Sequence, residues 1–247
     1  MRKMRLQDRT PIVPWRLKLN WTTLVALVAL SASMVGAAPE NYDFKLKMSQ
    51  DKELCPAITK VLSAEYNDIW IQRAPRHEWF IRWEPLDSLG EQFRNEPALI
   101  DRDCHKNRWA QFDIDNDGHT ELVIKQSRCL GGILSDTLYI FQSEEARENI
   151  YQFLMDPFAP SSSLIGTIDN RDRYELKKLP PFKDKQGREQ LYAIEEGALF
   201  IHPFIFGGHA YLSVHDLGAW HVIARYRRGE KHLRQLEDVC YVQRRKR

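Results

Sequence analysis

Four acidic side chains lie close together in the middle of the sequence, at spacings that suit a bound cation. They are Asp113, Asp115, Asp117 and Glu121. Gly118 permits a tight turn after the third Asp, and His119 can add its backbone carbonyl oxygen. Calcium binds six to eight hard oxygen ligands in irregular geometry, so we expect these five residues to form a calcium-binding loop. Without a cation, four crowded carboxylates would repel one another.

The loop does not fit an EF-hand, because position 12 is Ile124 rather than Glu and a strand-like pattern follows. It resembles the calcium loop of FG-GAP/VCBS-type repeats, in which a D-x-D-x-D-G-x-x-D segment joins two strands. Glu121 stands where that family has its final Asp. The resemblance covers residues 108–141 and occurs once, so we do not expect a propeller. The alternative is a solvated Asp-rich turn, since Asn116-Asp117-Gly118 turns well without a metal.

The N-terminal segment has the features of a secretory signal. Residues 1–20 hold six Lys or Arg residues, and residues 21–38 are uncharged and end in Val35-Gly36-Ala37-Ala38. A basic start, an apolar run and a small-residue terminus predict a signal peptide over residues 1–37, cleaved after Ala37. The alternative is an uncleaved membrane anchor, because about 18 apolar residues are near the minimum for a spanning helix.

The net charge argues against a nucleic-acid partner. The 247-residue chain has a formal charge of +2. Removing residues 1–37 takes away six basic residues and one acidic residue, which leaves a net charge of −3. A mildly acidic domain lacks the basic surface that binds nucleic acid.

The four cysteines all follow the predicted cleavage site. An even number of cysteines in an exported chain indicates disulfides, so we predict two. We favour Cys104–Cys129, because both lie almost equally far from the turn at Asp117-Gly118, and Cys55–Cys240, which would tie the first helix to the last strand. Three pairings are allowed by the sequence. A redox or zinc site is the alternative, although no C-x-x-C motif is present.

The hydrophobic pattern predicts an α+β fold with mostly antiparallel sheet, an N-terminal helix and one mid-chain helix. The first helix carries Cys55, Ile58, Val61, Leu62 and Tyr66 on one face and should end before Asn67. The second follows Ser143. The predicted strands are His77–Trp83, Arg108–Ile114, Thr120–Lys125, Thr137–Phe141, Ala198–Phe206, Ala210–Val214, Trp220–Tyr226 and Val239–Val242, with weaker strands at Tyr174–Leu176 and Gln190–Ile194. Residues 38–247 should form a single domain, with a weak subdivision near 156–165.

Other candidate groups lack a recognisable catalytic spacing. Ser213 and Ser161–Ser163 are nucleophiles by residue type only. Trp79, Phe80 and Trp83 could stack on a sugar, but core packing is expected of large aromatics. The basic tail 244–247 could contact a polyanion, but we expect a frayed terminus. Late histidines could bind a transition metal but are expected to form ordinary polar strand faces: His202, His209, His215, His221 and His232.

These features predict a periplasmic or secreted, non-enzymatic binding or accessory protein of a bacterial envelope. A structural calcium loop and two disulfides would stabilise it, and its partner would be an envelope protein or glycan. One alternative is a periplasmic hydrolase of envelope polymers, which a deep polar pocket with two carboxylates or a Ser/His pair would favour. The other is a membrane-tethered interaction module, which requires an uncleaved N-terminal helix.

Overall fold

The part of the chain that can be described begins at Tyr42. The computed structural model describes residues 42–70, 76–99, 101, 105–130, 133–142, 147–156, 161–169, 182–183, 187, 189–190, 200–215, 220–229 and 236–246. Residues 41–247 group into one compact unit by their contacts. The predicted signal peptide and Cys104 lie outside the described residues, so the predictions for them stay predictions.

Sheet A is a five-stranded antiparallel sheet that joins the C-terminal meander to the first strand. Its strand order is β1-β12-β11-β10-β9. Gly207 and Gly208 connect β9 to β10 with φ values of 57° and 80°, a conformation that favours glycine and fits the twist of a two-residue hairpin. The strand bounds are β1 (Tyr42–Ser49), β9 (Phe200–Phe206), β10 (His209–His215), β11 (Trp220–Tyr226) and β12 (Leu236–Lys246).

Sheet B is a second antiparallel sheet of five strands, in the order β2-β3-β4-β5-β6. The strand bounds are β2 (Glu84–Pro85), β3 (His105–Phe112), β4 (Glu121–Leu130), β5 (Ile133–Phe141) and β6 (Leu164–Ile168). A short pair, β7 (Phe182–Lys183) and β8 (Glu189–Gln190), forms a separate ribbon. The predicted calcium loop is the connection between β3 and β4.

Helix α1 (Leu54–Trp70) begins at a side-chain cap. The Asp51 Oδ1 atom accepts hydrogen bonds from the backbone N–H groups of Glu53 (3.0 Å) and Leu54 (2.9 Å), two of the donors that a helix start leaves without an intrahelical partner. Beyond the cap, apolar side chains recur at helical spacing and are buried. They are Leu54, Cys55, Ile58, Val61 and Leu62.

The two sheets pack face to face, and helices cover both outer faces. The inner layer joins Phe112, Val123 and Ile140 of sheet B to Leu212 and Val222 of sheet A. Apolar residues of α1 pack on the outer face of sheet A. Those of α2 (Glu91–Arg94) and α3 (Arg147–Met155) pack on the outer face of sheet B. This order of helix, sheet, sheet and helix buries both faces of each sheet, as layered folds require.

The predicted fold class is confirmed, since the structure is α+β with mostly antiparallel strands, an N-terminal helix and a mid-chain helix. Several predicted elements need correction at their ends. Strands β3, β4, β5 and β12 are longer than predicted: β3 begins at His105, β4 continues to Leu130, β5 begins at Ile133, and β12 extends from Leu236 to Lys246. Helix α1 continues to Trp70, because Asn67 and Asp68 cost a helix only a few tenths of a kcal/mol each. The C-terminal tail is paired rather than frayed as far as Lys246, because residues 240–246 of β12 pair with β1.

The predicted strand His77–Trp83 is wrong as an extended ladder. Only Phe80 forms a β-bridge, with Phe204 of β9. The Ile81 N–H donates to the Pro203 carbonyl at 3.0 Å, and the Ile205 N–H donates to the Trp79 carbonyl at 2.8 Å. The next rung would need an N–H donor at Pro203, which proline lacks. The pairing therefore stops on the Ile81 side of the bridge. On the other side, residues 77–80 form a turn, in which the Phe80 N–H donates to the His77 carbonyl at 3.1 Å.

The predicted Cys55–Cys240 disulfide is present. It links the first turn of α1 to β12, and both cysteines are fully buried. The Cys104–Cys129 pairing stays a prediction, although the register supports it by setting His105, the neighbour of Cys104, opposite Arg128, the neighbour of Cys129. Within the described ranges, no helix is both long and apolar enough to cross a membrane.

Candidate metal-binding loop

Three of the predicted ligands converge in the loop between β3 and β4. Asp113, Asp115 and Asp117 can each offer one carboxylate oxygen so that the three oxygens lie within 4.8 Å of one another. They alternate with Ile114 and Asn116, so every second side chain points toward the same point. Hard oxygen atoms at this separation are the donor chemistry that calcium prefers.

Backbone hydrogen bonds hold the loop in this shape. The Asp113 carboxylate accepts from the N–H of Asp117 at 3.0 Å and from the N–H of Gly118 at 2.9 Å. Gly118 has a φ of 89°, which a residue with a side chain rarely adopts. A carboxylate has about four lone-pair sites, so Asp113 can accept these bonds and still coordinate a cation.

Asn116 fastens the loop to the opposite sheet. Its Oδ1 atom accepts from the Ala210 N–H at 2.6 Å, and its Nδ2 donates to the Ala210 carbonyl at 3.2 Å. Asn116 has a φ of 62°, in the left-handed region that Asn tolerates better than most residues. The loop of sheet B is therefore bonded directly to strand β10 of sheet A.

We expect Asn116→Ala to lower the free energy of unfolding by about 2–3 kcal/mol. Two hydrogen bonds contribute about 1 kcal/mol each, and Ala adds about 1 kcal/mol of left-handed strain. Asn116→Gly removes the bonds without the strain and should cost about 1 kcal/mol less. Urea unfolding of both variants measures the difference, with the exposed Asn95→Ala as control. Wild-type stability of Asn116→Gly would show that the link contributes nothing.

The other two predicted ligands lie differently from the triad. Glu121 is only 2% exposed, and its Oε2 accepts from the Ile114 N–H at 3.0 Å. It does not belong to the group whose oxygens lie within 4.8 Å of one another. The His119 ring lies 3.1 Å from the Asp117 Oδ1, and the His119 N–H donates to the same atom at 2.8 Å.

The carboxylates of the loop perturb one another electrostatically. Burial raises the pKa of Glu121 to about 7, helped by the charges of Asp115, Asp117 and Asp113 and opposed by the Ile114 N–H. Burial and the Asp117 charge also raise the pKa of Asp115. The N–H of His119 lowers the pKa of Asp117. Ionisation of Asp115 and Glu121 is therefore unfavourable in the cation-free loop. A bound divalent cation would stabilise the ionised carboxylates.

Known proteins give no further guide to this loop. No protein-family model matches the chain, and no curated protein or solved structure gives a significant match. The resemblance of residues 108–141 to FG-GAP/VCBS-type repeats therefore stays a prediction.

A buried histidine stack is the feature that the sequence prediction missed. The rings of His202 and His215 stack with centroids 5.5 Å apart, and those of His215 and His221 stack at 4.3 Å. The prediction of polar strand faces is wrong for these three, because each is at least 93% buried between sheet A and the residues that cover it. The spacing of His215 and His221 around the β10–β11 connection was the available signal, since the register pairs them directly.

The histidine stack does not form a metal site in this arrangement. Among the described residues, the only group of His, Cys, Asp and Glu ligand atoms close enough to share an ion is the Asp triad. The His rings lie within 19° of parallel, whereas imidazoles that share a zinc ion point their nitrogens at one tetrahedral centre.

The remaining candidates do not come together. Ser213 lies opposite His202 in the register, but its side chain is fully buried. Phe80 packs in the core on Phe204. Trp79 contacts Phe206, whereas Trp83 contacts Phe112, so the three aromatics form no shared platform. The Ser161 and Ser163 hydroxyls bond to each other at 3.1 Å.

Two surface pockets lie near the ends of β11 and β12. One of about 250 Å³ opens beside the loop and is lined by Asp115, Asn116, His209, Arg225, Tyr226 and Arg227. The other, of about 340 Å³, contains the carboxylates of Asp51 and Glu237. Asp51 caps α1, and Glu237 accepts from Arg227 at 2.6 Å. Both carboxylates are therefore already engaged.

Proposed function

We propose that this chain is an exported, non-enzymatic binding or accessory protein of the bacterial envelope, stabilised by calcium and disulfides. The observation that carries the proposal is the convergence of the Asp113, Asp115 and Asp117 carboxylates within 4.8 Å. Its partner is an envelope protein or a glycan, and the calcium ion serves the fold rather than a reaction.

The donor set and its surroundings support calcium over a solvated turn. The loop is preformed by hydrogen bonds to Asp113, so a cation would not have to order a mobile segment. The same loop is bonded to Ala210 of sheet A. A cation held here would stabilise the contact between the two sheets, which is a structural role. Calcium at millimolar levels outside cells would load even a weak site.

The disulfide supports export. Cys55–Cys240 links residues 185 positions apart and is buried, and disulfides persist in oxidising compartments. The basic and apolar pattern of residues 1–37 points to the same route.

Ser213 and His202, which lie opposite each other on β10 and β9, do not favour the hydrolase alternative. Ser213 is fully buried and His202 is 93% buried, so a polymer could not reach them without moving the covering residues. A general base must lie within hydrogen-bond reach of a bound substrate. The two engaged carboxylates near the second pocket offer no free acid and base either. A binding or accessory role fits these observations better.

Calcium is expected to raise the melting temperature. Extracellular calcium modules bind with dissociation constants of about 10⁻⁴–10⁻³ M, so 5 mM calcium should add about 1–2 kcal/mol of stability and roughly 3–8 °C in Tm. Differential scanning calorimetry in EDTA and in calcium measures the shift, with magnesium as the control ion.

Asp115→Asn should abolish the calcium response while leaving the calcium-free protein as stable as, or more stable than, the wild type. The reason is that removing this charge relieves repulsion in the empty loop. Asp87→Asn, an exposed Asp in the turn before α2, should keep the full response. An Asp115→Asn protein that still responds to calcium, or a wild type that does not respond, would contradict the proposal.

A further inference from the structure

Three cationic side chains form a basic strip along the β1–β12 edge of sheet A. Lys45 and Lys47 project from β1, and Arg245 projects from β12; all three are exposed. The register pairs Lys45 with Gln243 and Asp43 with Arg245, so Lys45 and Arg245 lie on the same face of the sheet, two positions apart. Asp43 lies on that face too, opposite Arg245, so the strip has two net positive charges rather than three.

The charges of the basic strip act on one another. Desolvation by neighbouring protein atoms, followed by the charges of Arg245 and Lys45, lowers the pKa of the exposed Lys47. Like charges held this close raise the energy of the isolated surface. Contact with an anionic surface would lower this repulsion energy, because each cation would then face several negative groups.

The position of the strip along the chain indicates which anionic surface. Strand β1 begins at Tyr42, and the uncharged run of residues 21–38 ends only three residues earlier. The four Cα–Cα steps from residue 38 to Tyr42 span at most about 14 Å. For as long as the predicted leader stays attached, the chain therefore limits how far β1 can lie from the apolar run, whose predicted destination is a membrane.

We propose that the basic strip of Lys45, Lys47 and Arg245 docks the domain on the anionic phospholipid headgroups of a membrane. The sheet edge would lie along the membrane surface, and the predicted calcium loop would not take part in this contact. Phosphate groups are hard, hydrated anions that lysine and arginine bind as charge partners. The inference does not depend on calcium binding, so the two can fail separately.

Sedimentation with lipid vesicles tests this inference. The protein used begins at Ala38, because the apolar run would insert into any vesicle and residues 41–247 form the compact unit. Vesicles are phosphatidylcholine alone or phosphatidylcholine with 30% phosphatidylglycerol, in EDTA. Each cation near an anionic surface strengthens binding about fivefold. The triple variant Lys45→Gln, Lys47→Gln, Arg245→Gln should therefore bind anionic vesicles roughly a hundredfold more weakly. Binding should also fade in 0.5 M salt.

A charge-matched variant separates a specific strip from general attraction. Arg82, Arg94 and Lys106 are exposed and lie outside β1 and β12, and their change to Gln removes the same net charge. This control should keep nearly full binding and the same circular dichroism as the strip variant. Equal losses in the two variants, or no binding of the unaltered protein to anionic vesicles, would overturn the proposal. Preference for a soluble anionic polymer, such as a polyphosphate, over the vesicles would also overturn it.

Discussion

Loss of the Cys55–Cys240 disulfide is expected to lower the free energy of unfolding by about 5 kcal/mol. The bond closes a loop of 185 residues, and the chain-entropy relation gives about 5 kcal/mol for a loop of that size. Domains of this kind have a total stability of roughly 5–15 kcal/mol. The loss would therefore leave a protein that is only marginally folded at 37 °C.

The double variant Cys55→Ala, Cys240→Ala isolates this bond from the predicted Cys104–Cys129 bond, which a reductant would also break. Urea unfolding of the variant and the wild type gives the difference directly. The double variant Cys55→Ser, Cys240→Ser, which also lacks the bond but nearly keeps the side-chain volume, controls for the loss of buried volume. A double variant within 1 kcal/mol of the wild type would show that the unfolded chain is not constrained by the bond.

The burial of this disulfide gives a second measurement. Both cysteines have no exposed surface, so a reductant can reach the bond only in molecules that have opened α1 away from β12. The rate of reduction in native buffer should equal the rate of that opening, measured independently by hydrogen exchange of α1.

Acid is expected to destabilise the protein strongly through the histidine stack. Burial, with the nearby Lys125, His215 and His221, holds the pKa of His202 well below its usual value. Burial, with His215 and Arg244, does the same for His221. The unfolded chain takes up protons at these groups below pH 6.5 while the folded protein does not, so stability falls as the pH falls. Between pH 8 and pH 5, the two groups together should cost at most about 4 kcal/mol, the amount expected if neither histidine takes up a proton in the folded protein.

Urea unfolding across pH 5–8 measures this loss, and the double variant His202→Phe, His221→Phe should remove most of it. A phenyl ring keeps the stacked shape and does not titrate. His221→Gln provides a non-titrating alternative if the Phe variant fails to fold, and the exposed His209→Gln should behave like the wild type.

Glu121 acts in the opposite direction, because its raised pKa of about 7 favours the folded protein as the pH falls. Both proteins share Glu121, so the difference between them cancels it. Parallel pH curves for the wild type and the double variant would disprove the role of the stack.

The strand pattern of the C-terminal meander was readable because its residues alternate and its turns carry glycine. The burial of the histidines could not be predicted from the sequence pattern. On β10, Ala210, Leu212 and Val214 face sheet B, while Ser213 and His215 face the α1 side. A strand with one polar face predicts solvent on that face. Here helix α1 and the Phe80 segment cover it, and no local pattern shows a layer contributed by distant residues.

The predicted calcium loop was the opposite case, because its geometry depends on residues close together in the sequence. Asp113, Asp115 and Asp117 converge because alternate residues of one short turn share a direction. The bond from Asn116 to Ala210 joins residues 94 positions apart, and sequence spacing contains no information about such a partner. The failure of the His77–Trp83 strand likewise depended on which residue lay opposite, namely Pro203.

The pairing of β1 with β12 also predicts how the folded domain would respond to a force applied at its N-terminal end. Tyr42 lies opposite Lys246, and the register continues to Ser49 opposite Cys240. A pull on the N-terminal end would therefore open β1 from β12 one rung at a time, as a zipper opens, at low force. This separation cannot continue beyond Cys55, because the disulfide to Cys240 transmits the force to β12 and from there to the central strands of sheet A. The disulfide is a mechanical stop that limits the extension of a tethered molecule to its first strand and the short segment before α1.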